Sequence, residues 1–123
     1  MILVDTSVWV DHLRAGDDGL VQLLEQGKVL AHPAIIGEVA LGSLKRRAQV
    51  LGSLGELPQI HVATDGEVLH FIEEQELYGR GIGYIDAHLL AALRLTPGTL
   101  LWTRDQRLLA VAEQLGLAVT GIR

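Results

Sequence analysis

The sequence contains no cysteine, which excludes a disulfide framework and a thiolate metal site. It also lacks any apolar run near the ~20 residues that a membrane-spanning helix needs. Its apolar beginning is too short, and has no basic flank, for a secretory signal. We therefore expect a cytoplasmic protein without membrane contact. The chain has 123 residues, of which 49% are hydrophobic, and this predicts a single domain over residues 1–123 with its own core.

An excess of basic residues is also missing, because the formal net charge is −5. Nucleic-acid-binding proteins usually carry a basic footprint, so any such footprint here must be local. The candidates are residues 45–47, Arg80, Arg104 and Arg107. The net negative charge argues against non-specific, high-affinity binding along nucleic acid. It leaves room for a small site that contacts a few phosphates.

Short apolar runs alternate with segments of helical periodicity along the whole chain. This βα alternation predicts an α/β protein, with three α/β/α layers around a short-stranded, mainly parallel sheet. Strands are predicted at residues 1–4, 28–31, 60–63, 99–102 and 117–119. Helices are predicted at 7–14, 19–26, 33–42, 44–54, from 64 onward, 84–95 and 103–115.

Three polar patterns predict where helices begin. Ser7 is placed to cap the first helix. The segments Thr64-Asp65-Gly66-Glu67 and Thr103-Arg104-Asp105-Gln106 both have the form of a capping box, in which a hydroxyl residue precedes an acid or amide by three positions.

Four acidic residues interrupt the apolar pattern. Asp5 and Asp105 follow predicted strands, at the edge of the sheet where ligands gather in open α/β folds. Asp86 lies at helical spacing from three leucines that follow it, and Glu38 lies between apolar residues three positions before and after it, so both are expected to point inward. As alternatives, the first two acids could act only at helix termini, and Glu38 could reach solvent.

A buried cluster of carboxylates repels itself. At ~5 Å and an effective dielectric constant near 20, one pair costs roughly 3 kcal/mol. The protein can protonate some of the acids or bind a cation, and an all-oxygen site suits Mg²⁺ or Mn²⁺. Such a metal polarises a phosphoryl oxygen and activates water. The residues alone therefore favour metal-assisted hydrolysis of a phosphodiester.

Four segments together resemble a PIN-domain ribonuclease, and in particular the VapC-type toxins of bacterial toxin–antitoxin pairs. They are MILVDTSVW, IIGEVALG, GIGYIDAHLLAA and LLWTRDQRLLAVAEQLGL, in that order and with suitable spacing. The resemblance covers nearly the whole chain except residues 44–80, which carry no diagnostic motif. It implies an α/β/α fold and Mg²⁺- or Mn²⁺-dependent endoribonuclease activity.

The resemblance also implies roles for individual residues and partners. Asp5 and Asp86 match the principal metal ligands, and Glu38 and Asp105 match the acids that complete the site, so no acid is missing. Supporting polar residues are Thr6, Ser7 and Thr103. The family further implies an RNA substrate, a homodimer and a cognate antitoxin protein that blocks the site, often with a basic side chain.

Other functions compete with this interpretation. A metal-independent ribonuclease would use histidines as acid and base, and His12 and His88 are the candidates. A haloacid-dehalogenase-like phosphatase needs an aspartate where Ser7 stands, and a response-regulator receiver needs an acid after the strand that ends at Ala63. A catalytically silent protein-binding module could dock a basic partner through the same acids.

Overall fold

Three short apolar segments form a parallel sheet, and the amphipathic segments between them form seven helices. The computed structural model describes all residues 1–123. In chain order the elements are β1 Ile2–Val4, α1 Thr6–Ala15, α2 Asp18–Glu25, β2 Val29–Leu30, α3 Pro33–Ala40, α4 Arg47–Glu56, α5 Asp65–Glu74, α6 Tyr84–Leu95, β3 Leu100–Trp102 and α7 Gln106–Gln114. None of these helices is both long and apolar enough to cross a lipid bilayer.

The first strand, β1, lies at the centre of the sheet, in the order β2-β1-β3. Leu3 pairs with Leu30 on one side and with Leu101 on the other. Leu3 and Val4 are fully buried, as expected for a parallel strand that is covered on both faces. Because the chain moves from β1 first to one neighbour and later to the other, the carboxyl end of β1 is a topological switch point, where α/β proteins place their ligands.

The predicted strands at 60–63 and 117–119 are wrong as strands, since only two single parallel bridges form there, one of them at residue 59, just before the predicted segment. Gln59 bridges Ala31, and Ala118 bridges Leu101. The neighbouring strands are too short to pair further. After Ala31 the chain enters α3, with His32 as its N-cap, and after Trp102 it turns away into the candidate site.

The helices form two contacting groups around the sheet. Helix α1 packs on α3 and α3 on α4, while α5 packs on α6, which also contacts β3. A core cluster of 27 buried residues joins the strands to these helices. The predicted three-layer α/β/α class is confirmed.

The predicted starts of the first and fourth helices differ from the observed ones. The capping box of Thr64 and Glu67 is present, with both reciprocal hydrogen bonds. Ser7, however, lies inside α1, because that helix begins at Thr6 with Asp5 as its N-cap. Helix α4 begins three residues later than predicted, after Arg46, whose left-handed conformation (φ 54°) interrupts the helix.

Candidate active site

Asp5 is buried at the carboxyl end of β1, with 6% of its surface exposed. One carboxylate oxygen, Oδ2, accepts hydrogen bonds from two hydroxyls: Ser7 Oγ at 2.8 Å and Thr103 Oγ1 at 2.7 Å. The other oxygen, Oδ1, accepts no hydrogen bond from the protein. The two hydroxyls therefore fix the orientation of the carboxylate and leave Oδ1 available to a ligand.

The turn between β3 and α7 is tied to the same cluster. Thr103 is 5% exposed, and its hydroxyl accepts a hydrogen bond from the backbone N–H of Asp105 at 3.1 Å while it donates to Asp5. The backbone N–H of Arg104 donates to Ser7 Oγ at 3.0 Å. Together these bonds place Asp105 beside Asp5, although a hundred residues separate them in the chain.

Asp105 itself is the N-cap of α7. Its Oδ1 accepts the backbone N–H groups of Arg107 at 3.0 Å and Leu108 at 3.1 Å, and the residue is exposed. The predicted capping box that starts at Thr103 is therefore wrong: the N-cap is Asp105, two residues later, and α7 begins at Gln106, because the Thr103 hydroxyl donates to Asp5.

Glu38 does not point inward as predicted, because it is exposed on α3 beside the buried face that carries Ile35 and Val39. Its carboxylate nevertheless turns toward the site. Glu38 Oε1 accepts a hydrogen bond from Thr6 Oγ1 at 2.7 Å. Since Thr6 directly follows Asp5, the packing of α1 on α3 brings the two acids to the same edge of the sheet.

Asp86 is partly buried in the first turn of α6. Burial raises the pKa of its carboxyl, and a hydrogen bond from the Gly83 backbone N–H at 3.2 Å opposes this shift. The negative charges of Asp5, Asp105 and Glu38 raise the pKa of Asp86 further. The charges of the other three candidate acids therefore reach Asp86, while the assignment of all four acids to one site stays a prediction.

The four carboxylates do not form a closed metal cage. No group of three or more acidic, imidazole or thiol side chains is arranged so that it could already hold one ion. Mg²⁺ usually keeps several waters and takes only one or two carboxylates together with substrate phosphates. The all-oxygen donor set and the repulsion at Asp86 suit such an ion, and the assignment of individual metal ligands stays a prediction.

The two histidines of the metal-independent alternative lie in separate clusters. His12 Nδ1 accepts the backbone N–H of Asp17 at 3.0 Å, and its ring packs edge-on against Trp9. His88 Nε2 lies 3.1 Å from Asp65 Oδ1, and the His88 ring contacts Tyr84. The structure does not present them as an acid–base pair.

Arg104, one of the candidates for a local basic footprint, has a structural role that the sequence pattern did not reveal. Its guanidinium donates to Asp11 Oδ2 at 2.9 Å and to Asp17 Oδ2, and it lies over the ring of Trp102. The side chain thus anchors the β3–α7 turn to α1 and to the start of α2, while its backbone N–H holds Ser7. Its two acidic partners are 93 and 87 residues away in the sequence, so no local sequence pattern predicts these contacts.

Comparison with known proteins matches this geometry to one family. A family model described as PIN domain matches residues 2–114. Ribonuclease VapC32 of Mycobacterium tuberculosis, from strain H37Rv and from strain CDC 1551 / Oshkosh, is 50% identical over 119 residues, which are 97% of this chain and 96% of that protein. The crystal structure of PAE2754 from Pyrobaculum aerophilum has the same fold, with a TM-score of 0.64 at 20% identity, covering 96% of this chain and 87% of that one.

The family match covers every acid of the candidate site, from Asp5 to Asp105. It also covers both strand ends that carry the hydroxyl network around Asp5. From the extent of the family match, and from half of the residues shared with a VapC ribonuclease over nearly the full length of both chains, we conclude that this protein belongs to the PIN-domain family, in its VapC branch.

Proposed function

We propose that the protein is a divalent-metal-dependent endoribonuclease and the toxin of a toxin–antitoxin pair, acting in the cytoplasm. The observation that carries this proposal is the buried carboxylate of Asp5 at the switch point of the sheet, which two hydroxyls orient through Oδ2 and which keeps Oδ1 available. Asp86 supports it, because burial and the charges of Asp5, Asp105 and Glu38 raise the pKa of its carboxyl. The name of the Mycobacterium tuberculosis relative, Ribonuclease VapC32, supports RNA as the substrate.

In this proposal Asp5 and Asp86 are the principal ligands of Mg²⁺ or Mn²⁺, and Glu38 and Asp105 complete the acidic site. When bound, the metal supplies a polarised phosphoryl oxygen and an activated water. The protein's own part is orientation. Ser7 and Thr103 hold one oxygen of Asp5 and leave the other available, and the Gly83 N–H holds one oxygen of Asp86.

Thr6 orients Glu38 in the same way, because its hydroxyl donates a hydrogen bond to Glu38 Oε1 at 2.7 Å. A positive ion held there would offset the mutual repulsion of the acids and oppose the upward shift in the pKa of Asp86. The same four charges would repel an RNA phosphate in the absence of the ion. Metal and substrate are therefore expected to bind together.

The proposed partners follow from the same assignment. They are an RNA substrate, a cognate antitoxin protein that covers the acidic site, and a second copy of this chain in a homodimer. A protein-binding module without catalysis would use the same acids to dock a basic partner. Turnover distinguishes the two functions, since only the enzyme consumes RNA.

The test is cleavage of cellular RNA by the purified protein with millimolar Mg²⁺ or Mn²⁺, with and without EDTA. We expect cleavage that EDTA abolishes and that Asp5→Asn reduces by at least about 10²-fold, since loss of this ligand weakens the metal that would stabilise transition-state charge, and one such stabilising contact is worth that much. Glu73→Gln is the matched control, because it removes a carboxylate from the exposed face of α5. Cleavage that survives EDTA, or equal activity of both variants, would contradict the proposal.

A further inference from the structure

Arg107 lies beside the candidate site, but its side chain makes none of the hydrogen bonds of that site. It stands two residues after Asp105, in the first turn of α7, and is exposed. Its side chain extends across the glycine-rich loop before α6. A methyl group on Gly81 would lie 2.8 Å from Arg107 Cδ and 3.2 Å from Arg107 Nη1.

This loop leads directly to Asp86. Gly81 is two residues before Gly83, whose backbone N–H donates to Asp86 Oδ2 at 3.2 Å. The backbone N–H of Arg107 in turn donates to Asp105 Oδ1 at 3.0 Å. The guanidinium of Arg107 is therefore held at the rim of the site, between the segments that carry two of its acids.

The charge of Arg107 is not neutralised within the protein. None of the ion pairs within 4.0 Å involves it, whereas the guanidinium of Arg104 is engaged by both Asp11 and Asp17. The side chain is turned toward Gly81, which has the positive φ of 80° that favours glycine and no Cβ in the way. A guanidinium without an ion partner, next to the loop that leads to Asp86, offers the bidentate donor geometry that suits phosphate.

We infer that Arg107 binds a backbone phosphate of the RNA next to the one at the acidic site, and so holds the substrate in register. This inference rests on the proposed function, because it assumes an RNA chain that passes across the acids. The contact is independent of base identity, because phosphate contacts position a nucleic acid without reading its sequence.

The test compares steady-state cleavage of a fluorescein-labelled, mixed-sequence single-stranded RNA by the intact protein and its Arg107→Ala, Arg107→Lys and Lys28→Ala variants. Lys28→Ala is the matched control: it removes one positive charge from an exposed residue just before β2, at the amino ends of the strands and opposite to the site. Each protein is measured with Mg²⁺ over a series of salt concentrations.

We expect Arg107→Ala to raise KM about tenfold, the value of one charge-assisted hydrogen bond, with kcat changed less than about twofold. The slope of log kcat/KM against log salt should become shallower by about 0.7, the contribution of one phosphate contact on a single strand. Arg107→Lys should keep the salt slope of the unmodified protein and should raise KM by less than Arg107→Ala does. Lys28→Ala should leave KM within about twofold of the unmodified protein.

Equal KM values and slopes for Arg107→Ala and Lys28→Ala would overturn the inference and leave the proposed function intact. A loss confined to kcat would also overturn it. An unmodified protein that cleaves no RNA in a metal-dependent manner would overturn the proposed function, and the inference with it. Because Arg107 is exposed, circular dichroism is expected to give the same melting temperature for all four proteins to within about 2 °C.

Discussion

Replacement of Thr103 by valine removes the hydroxyl that joins the ends of β1 and β3. Thr103 Oγ1 donates to Asp5 Oδ2 at 2.7 Å and accepts the Asp105 backbone N–H at 3.1 Å, in a position where the residue is 5% exposed. Valine has nearly the same shape, so the change deletes these two hydrogen bonds, and a long contact of 3.4 Å with Ser7 Oγ, without opening a cavity. The carboxylate of Asp5 then keeps only the hydroxyl of Ser7.

The cost can be worked out from these two bonds. The bond to the charged carboxylate contributes about 1.5–3 kcal/mol and the bond from the backbone N–H about 0.5–1.5 kcal/mol. The buried methyl group that replaces the hydroxyl offsets about 0.8 kcal/mol. We therefore expect Thr103→Val to lower the free energy of unfolding by about 2 kcal/mol, which for a chain of this length is about 8 °C in Tm.

Urea denaturation followed by circular dichroism, and calorimetry for Tm, measure this change. Thr99→Val is the matched control: Thr99 is also buried, but its hydroxyl donates to the neutral carbonyl oxygens of Thr96 and Leu93. The control should lose about 1 kcal/mol or less, and Thr103→Ser should regain most of the loss. Equal destabilisation by the two valine variants would refute the assigned role of Thr103 at the Asp5 carboxylate.

Three further changes test other parts of the structure. Asp86→Asn should raise the free energy of unfolding of the metal-free protein at pH 7, because burial and like charges raise the pKa of Asp86. The gain should shrink as the pH falls through that pKa, since the native carboxyl then takes up its proton. Urea denaturation at a series of pH values measures this change. Asp17→Asn should lower the free energy of unfolding by on the order of 1 kcal/mol at pH 7, because the hydrogen bond from Arg104 lowers the pKa of Asp17. The stabilisation by Asp17 is present above the unfolded-state pKa of ~3.9 and is lost as the pH falls through the lower native pKa. The same titration should therefore give equal unfolding free energies for the unmodified protein and the variant in acid. Leu89→Ala, at a fully buried position of α6, should cost about 3 kcal/mol in a thermal or urea melt, and a loss under about 1 kcal/mol would contradict its place in the core.

The sequence predicts the elements that depend on local pattern. The apolar run before Asp5 is a buried strand, and the capping box at Thr64 starts a helix, because apolar periodicity and capping groups act over a few residues. The edge strands at 60–63 and 117–119 are different. A strand exists only where its neighbour offers unpaired backbone groups, and the turn of the chain at His32 and Thr103 leaves them one bridge each.

The same limit applies to the candidate site. The position of Asp86 among leucines and that of Asp5 at a strand end are visible in the sequence. The exposure of Glu38 is not, because it depends on how α3 packs against α1, and its carboxylate is held by Thr6. The network of Arg104 could not be predicted either, since it joins residues that only the completed fold brings together.

In the proposed function, Asp5 and Asp86 share one divalent cation. A Mn²⁺ titration monitored by Tm tests it most directly, with each protein compared with its own metal-free state. At tenfold excess over Kd, binding stabilises by about 1.4 kcal/mol, or about 5 °C in Tm. We expect this rise for the unmodified protein and for Glu73→Gln, and its near absence for both Asp5→Asn and Asp86→Asn. An unmodified protein whose Tm does not respond to Mn²⁺, or variants that respond in full, would contradict the account.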